Sequence, residues 1–144
     1  MGPVTAIDAR RMRSNFSGHA GEYDRYAAVQ KRVVSRLLAR LETSAVIAGP
    51  ILDIGTGTGG LAASFQQRYP ASSLVVMDIS HGMTLQASHR LDGVDACDGD
   101  ARALPFRDAA FQTVISSSVY QWVAELPAAF REVNRTLRQG GLFA

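Results

Sequence analysis

The stretch Asp53-Ile54-Gly55-Thr56-Gly57-Thr58-Gly59-Gly60 decides how this chain is read. It closes the apolar run Ile51 to Ile54, which reads as a buried strand. It precedes Leu61, Ala62, Phe65 and Tyr69, whose spacing marks a helix that stops near Pro70. Glycines at such a turn let the backbone bend sharply and meet a ligand with no Cβ in the way. The helix N-terminus beyond them offers unpaired amides and partial positive charge. Gly55, Gly57 and Gly60 also fit the dinucleotide pattern G-x-G-x-x-G. The loop alone therefore leaves open a nicotinamide ligand, or a turn that serves only packing.

Working outward, Val29, Val33, Val34, Leu37, Leu38 and Leu41 recur at helical spacing and predict an amphipathic helix from about Tyr23 to Leu41. Leu74 to Met77 reads as a second buried strand, and Ser80 as the cap of a helix carrying Met83, Ala87 and Leu91. Val94 to Cys97 is a third, weaker strand and Phe111 to Ser118 a fourth. Leu126, Phe130, Val133 and Leu137 define a last helix, closed by Gly140 and Gly141. Strands alternating with helices predict an α/β fold with a parallel sheet. Residues 1–45 are expected to form an N-terminal helical cap segment and residues 46–144 the sheet domain. The sequence stops at Leu142-Phe143-Ala144, three residues into what reads as a fifth strand. The expectation is a C-terminally truncated sheet with an open edge able to self-associate.

The bulk properties suit one domain: 144 residues, 47% hydrophobic and 19% charged. No apolar run approaches the roughly 20 residues of a membrane span. Met1 to Arg13 lacks a signal-peptide core, so a cytoplasmic location and no membrane partner are expected. The single Cys97 excludes an internal disulfide and a cysteine metal cage. It reads as a small buried strand residue, and His19, His81 and His89 as surface polar residues without ligand spacing; no metal is expected. A net charge of +2 gives no sign of a nucleic-acid binder. Arg10, Arg11, Arg13, Arg25, Lys31, Arg32, Arg36 and Arg40 are a solvated face in the bland reading and a docking surface for an acidic partner in the sharper one.

Three acids narrow the ligand. Asp53 stands two residues before the first glycine, where dinucleotide folds usually carry an apolar residue. Asp78 ends the second strand, where a carboxylate can accept both hydroxyls of a ribose. Asp100 follows the third strand, near where an adenine edge would lie. Each alone reads equally as a cap or turn residue. Together they favour a ligand with an adenosine and a positively charged tail.

The segment Leu52 to Gly59 resembles the first motif of class I S-adenosylmethionine-dependent methyltransferases. Val76-Met77-Asp78-Ile79-Ser80 resembles their ribose motif, Gly99 to Phe106 their adenine-edge motif, and Leu137 to Gly141 the turn into their fifth strand. The resemblance implies a Rossmann-like sheet with flanking helices and S-adenosylmethionine as cofactor. It would place the methionine part on Asp53, Gly55, Gly57 and Gly59, the ribose on Asp78, the adenine on Asp100 and Ala101, and Met83 against the base. Ile79 and Ser116 join the same cofactor set, and Tyr23 is a candidate lid, with ordinary helix packing as the alternative.

A narrower resemblance lies at the front. Phe16 to Asp24, then Ala27, Ala28 and Gln30, is similar to the start of the biotin-pathway malonyl-[acyl-carrier-protein] O-methyltransferases, as is Ser116 to Trp122. Gln112 departs from them, standing where they commonly carry aspartate. This likeness implies an acidic acyl-carrier partner and a malonyl carboxylate as acceptor. Tyr120 and Trp122, just after the fourth strand, suit an acceptor pocket or, equally, an aromatic core. No catalytic acid–base pair is evident. A carboxylate acceptor needs none, being ionised at neutral pH.

Overall fold

The computed structural model describes residues 20–42 and 49–144, with side chains in 28–42 and 49–144. The expectations on Phe16, His19 and Tyr23 lie outside those side chains. The elements are α1 (Ala20–Leu41), β1 (Ile51–Ile54), α2 (Gly60–Arg68), β2 (Leu74–Asp78), α3 (His81–Arg90), β3 (Asp95–Asp98), β4 (Phe111–Ser116), a 3₁₀ turn (Tyr120–Trp122), α4 (Leu126–Thr136) and β5 (Leu137–Phe143). All strand pairs are parallel, in the order β3-β2-β1-β4-β5. This is the expected Rossmann-like α/β sheet.

β1 is central, and its four residues are all buried because it is paired on both sides and covered on both faces. The two-residue period of the strands splits the core into two layers. Ile51, Leu74, Val76 and Ile115 face Leu41 of α1, Leu61 and Phe65 of α2, and Ala87 and Leu91 at α3. Leu52, Ile54, Met77 and Val114 face the opposite way, toward Ala129 and Val133 of α4 and Leu104 of the β3–β4 connection. Ile54 lies level with Met77 and Ser116, and Asp78 with Asp98, so the strands end together at one edge.

Several local expectations change. Ser80 occupies the N-cap of α3, but its hydroxyl makes no cap bond. Asp98 holds that turn instead, accepting from the Thr84 hydroxyl and lying 2.8 Å from His81 Nδ1. Gly140 and Gly141 do not close the last helix. The backbone turns extended at Leu137 (φ −73°, ψ 140°), and the glycines lie in a bulge where β5 shifts register against β4. Gly140 needs its φ of +73° there, and a Cβ on Gly141 would sit 2.8 Å from the Arg138 carbonyl. Gln112 lies beside this bulge, its side-chain amide donating to the Gly140 carbonyl at 3.4 Å. The apolar stripes are only partly covered: Val34, Leu37 and Leu38 pack on the core, while Val29 and Val33 of α1 and Leu126 and Phe130 of α4 stay exposed.

Arg135 of α4 organises the long connection between β3 and β4. Its guanidinium donates to the Leu104 and Phe106 carbonyls and pairs with Asp108 and Glu132. Glu132 in turn accepts the Leu104 amide at 2.8 Å. Leu52 is fully buried between these layers, whereas Leu85 is 48% exposed on α3. Leu52→Ala should therefore cost about 2–5 kcal/mol in urea unfolding and Leu85→Ala less than about 0.5. Equal costs would contradict the layer assignment.

Candidate functional site

β1 and β2 end side by side, and the glycine loop between β1 and α2 folds back over them. The amides of Gly55 and Thr56 both donate to the Met77 carbonyl, at 2.7 and 2.9 Å. The next amide, Gly57, donates to Asp78 Oδ2 at 2.9 Å. Three consecutive N–H groups are thus spent on the end of β2. Gly57 has a φ of +55° and open space where a Cβ would be. The left-handed backbone, rather than crowding, is what demands glycine there. Gly55 (φ +68°) is crowded as well: a Cβ would fall 2.2 Å from the Val119 side chain, which rests on the loop from beyond β4.

Asp53 lies beneath this loop and is 1% exposed. Thr56 donates its hydroxyl to Asp53 Oδ2 at 2.8 Å. Burial pushes the carboxyl up to about 7, against the Thr56 and Ala62 hydrogen bonds that favour its charged form, with the Asp78 charge adding to the rise. Asp53 is therefore a buttress whose charge a ligand would feel through the loop, not a surface contact. Thr56, absent from the candidate residues, is what fixes it. A hydroxyl three residues after a buried acid was the available signal.

Asp78 and Asp100 are presented differently. Asp78 Oδ2 accepts from Gly57 and Oδ1 from the Ser80 amide at 2.9 Å. Each carboxylate oxygen has two acceptor positions, so one remains on each oxygen. The two are fixed in direction by the backbone and suited to a pair of neighbouring hydroxyls. Asp100 is engaged by Arg102, whose guanidinium pairs with it at 2.7 Å and holds its carboxyl below the usual range. Ile79, next to Asp78, is 52% exposed, an apolar surface beside the free acceptors. Met83 lies half-buried in the first turn of α3, and Ala101 is buried beneath Asp100.

Ser116 ends β4, and its hydroxyl donates to the Ile54 carbonyl at 2.9 Å, tying β4 to the start of the glycine loop. Beyond it, Ser118 adopts a left-handed φ of 63° and directs the chain into the 3₁₀ turn. Tyr120 stacks on Phe130 at 5.1 Å between ring centres and meets Phe143 edge-on at 5.7 Å. Its hydroxyl is buried without a protein partner, and burial pushes it up to about 12. Trp122 is 46% exposed. The structure thus brings Asp53, Gly55, Gly57, Gly59, Asp78, Ile79 and Ser116 around one strand edge. Tyr120 and Trp122 flank it on the β4 side.

The remaining candidates are unremarkable chemically. His81 and His89 are exposed, and Cys97 is half-buried on β3 with its thiol pushed up by burial and by Asp98 and Asp95. Among the described residues no three His, Cys, Asp or Glu side chains gather to hold a metal. No helix among them is long and apolar enough to cross a membrane.

A parallel sheet whose central strand ends in a glycine loop, with an oriented acid at the end of the neighbouring strand, defines a Rossmann-like domain. The chain belongs to the methyltransferase-domain family, whose model matches residues 52–144. It is 43% identical over 141 residues to a malonyl-[acyl-carrier protein] O-methyltransferase of Geobacter sulfurreducens, covering 96% of this chain and 53% of that protein. It is 35% identical over 147 residues to the biotin biosynthesis bifunctional protein BioHC of Teredinibacter turnerae, covering 94% of this chain and 26% of that one. The PH0226 protein of Pyrococcus horikoshii superposes with a TM-score of 0.65 at 30% identity, over 80% of this chain and 56% of that one. The chain spans about half the length of most of the curated relatives it matches. The methyltransferase-domain family implies S-adenosylmethionine binding.

The raised Asp53 carboxyl makes a prediction about stability. The folded protein holds a proton there that the unfolded chain releases. This contribution to stability is therefore present below about pH 4 and lost as pH rises toward 7. Asp53→Asn should gain on the wild type through that window, by an amount on the order of a few kcal/mol, and level off above it. Parallel pH profiles of the urea midpoint in the two proteins would rule out the buried-acid account.

Proposed function

We propose that this chain carries the cofactor-binding part of an S-adenosylmethionine-dependent O-methyltransferase, acting on the carboxylate of a malonyl group held by an acyl-carrier protein in biotin precursor synthesis. One observation carries the cofactor reading: Asp78 is held by two backbone amides and keeps one free acceptor on each oxygen. That arrangement suits the vicinal hydroxyls of a ribose. The exposed Ile79 and half-buried Met83 would cover the base, with Asp100 and the backbone at Ala101 at its edge. The left-handed loop at Gly55, Gly57 and Gly59 would hold the methionine part, with Gly57 leaving open space for it where a Cβ would stand. Ser116 and Tyr23 complete the proposed cofactor set, with Asp53 acting through the loop rather than by contact.

The cofactor supplies a methyl group on a sulfonium, already activated for in-line displacement. The protein's own part is orientation and exclusion of water, worth up to about 7–11 kcal/mol in favourable cases. A carboxylate acceptor arrives ionised, so no side chain has to remove a proton. Tyr120 fits that role of wall rather than base: its hydroxyl is pushed up to about 12 and stays protonated. Tyr120 and Trp122 are the proposed acceptor-side residues. The names of the relatives support malonyl on carrier protein as acceptor. The basic exposed face of α1, with Lys31, Arg32 and Arg36, suits an acidic carrier, since opposite potentials speed encounter.

Two experiments test this. Calorimetric titration should show S-adenosylhomocysteine binding, with Asp78→Ala weakening it by roughly 1.5–3 kcal/mol through lost charge-assisted hydrogen bonds. Unchanged affinity would remove the ribose assignment. Labelled S-adenosylmethionine, offered with malonyl-carrier protein, malonyl-coenzyme A or free malonate, should label the carrier-bound form, less so at high salt. Labelling of the free acid alone would end the carrier reading and leave methyl transfer standing.

A further inference from the structure

We propose that Arg102 is an electrostatic latch on Asp100 that competes with the adenine amine for this carboxylate and that Glu125 receives when it opens. The inference rests on the cofactor reading above, in which Asp100 meets the amino edge of the base.

Arg102 makes four contacts to this one carboxylate. Its backbone amide donates to Oδ1 at 2.8 Å, Nε reaches Oδ1 and Oδ2 at 3.1 Å each, and Nη2 donates to Oδ2 at 2.7 Å. These contacts come from three N–H groups, the Nε–H being shared between the two oxygens, and together they engage both oxygens of the carboxylate. Asp78 differs sharply, since it spends two positions on backbone amides and keeps two. Of the two acids that face the proposed nucleoside, one is held by backbone alone and the other is also engaged by a side chain of the same loop.

The block is built to move. The Arg102 side chain is 43% exposed, so its guanidinium has solvent to move into. Its remaining nitrogen, Nη1, already lies 3.8 Å from Glu125 Oε2, at the start of α4. A guanidinium leaving Asp100 therefore has a second carboxylate within reach, and does not have to become an unpaired cation. The backbone contact from Arg102 to Oδ1 is unaffected by that swing and keeps Asp100 aimed. Only the three guanidinium contacts yield, which frees Oδ2 for an N–H donor.

Two consequences follow from the chemistry. Binding of an adenosine ligand is opposed by the closed latch, so removing the guanidinium should tighten it. A closed guanidinium also presents N–H donors where adenine presents its own, and would suit a base with a carbonyl at that position. The latch thus reduces discrimination between adenine and hypoxanthine.

The probes are S-adenosylhomocysteine and S-inosylhomocysteine, measured by calorimetry on the wild type, Asp100→Ala, Arg102→Ala, Arg102→Gln, Glu125→Gln and the Arg102→Ala/Glu125→Gln pair, each checked by thermal melting. Arg102→Ala should tighten S-adenosylhomocysteine by about two- to tenfold and raise its preference over the inosyl compound. Arg102→Gln, which keeps the stem, should do the same if the alanine variant folds poorly. Glu125→Gln should weaken binding in the wild-type background and have no effect once Arg102 is gone. Unchanged or weaker binding in both Arg102 variants, with Asp100→Ala still weakening it, overturns the latch and leaves the cofactor site intact. If Asp100→Ala changes nothing, the adenine contact and the latch fall together while the ribose site stands. Failure of the wild type to bind S-adenosylhomocysteine removes both readings.

Discussion

Everything at the functional edge depends on one backbone arrangement: three successive amides, of Gly55, Thr56 and Gly57, turned onto the last residues of β2. A loop leaving a central parallel strand would ordinarily point its amides at solvent. Here the left-handed conformations at Gly55 and Gly57 reverse the chain, so the amides satisfy the Met77 carbonyl and the Asp78 carboxylate. The same bonds aim Asp78 outward and hold the loop against the sheet. Asp53 below, clamped by Thr56, gives that loop a buried polar footing which costs stability as it ionises. Val119 closes the other side by filling the space a Cβ on Gly55 would need.

The two sides of the strand edge are built on different physics. On the β2–β3 side the surface is acidic and hydrogen-bonded, with Asp78, Asp98 and Asp100 each committed to defined donors. On the β4–β5 side it is aromatic, with Tyr120, Phe130 and Phe143 in mutual contact and Trp122 half-exposed. The polar and the aromatic surfaces thus lie side by side without competing for the same groups. Ser116, bonded to the Ile54 carbonyl, is the seam between them.

Long-range clamps give this edge its rigidity. Arg135 reaches from α4 across the β3–β4 connection, and Glu132 accepts an amide from it, so the segment bearing Asp100 is tied to a helix some thirty residues later. Asp98 does the corresponding work for α3, holding the turn that follows Asp78 through His81 and Thr84. Neither clamp lies in the glycine loop. Both determine where its neighbouring acids stand.

The amino-acid sequence by itself determined the alternation of strands and helices, the central glycine loop, and the identity of the acids at successive strand ends. These are local properties: apolar period, glycine placement and a charged residue closing an apolar run. Ends of elements were less legible where one residue type serves two purposes. Gly140 and Gly141 read as a helix stop, yet they relieve a bulge in β5, because the helix ends when Leu137 pairs with Phe111. Ser80 stands at the cap as read, yet its hydroxyl makes no cap bond, and Asp98, distant in sequence, holds the turn through the Thr84 hydroxyl and His81. The state of each acid was decided only by the tertiary structure. Burial makes Asp53 a buttress, two amides leave Asp78 half-free, and a guanidinium two residues away occupies Asp100. Charge state and free acceptor positions depend on which donors and how much water surround a carboxylate, and those donors come from three separate connections of the chain.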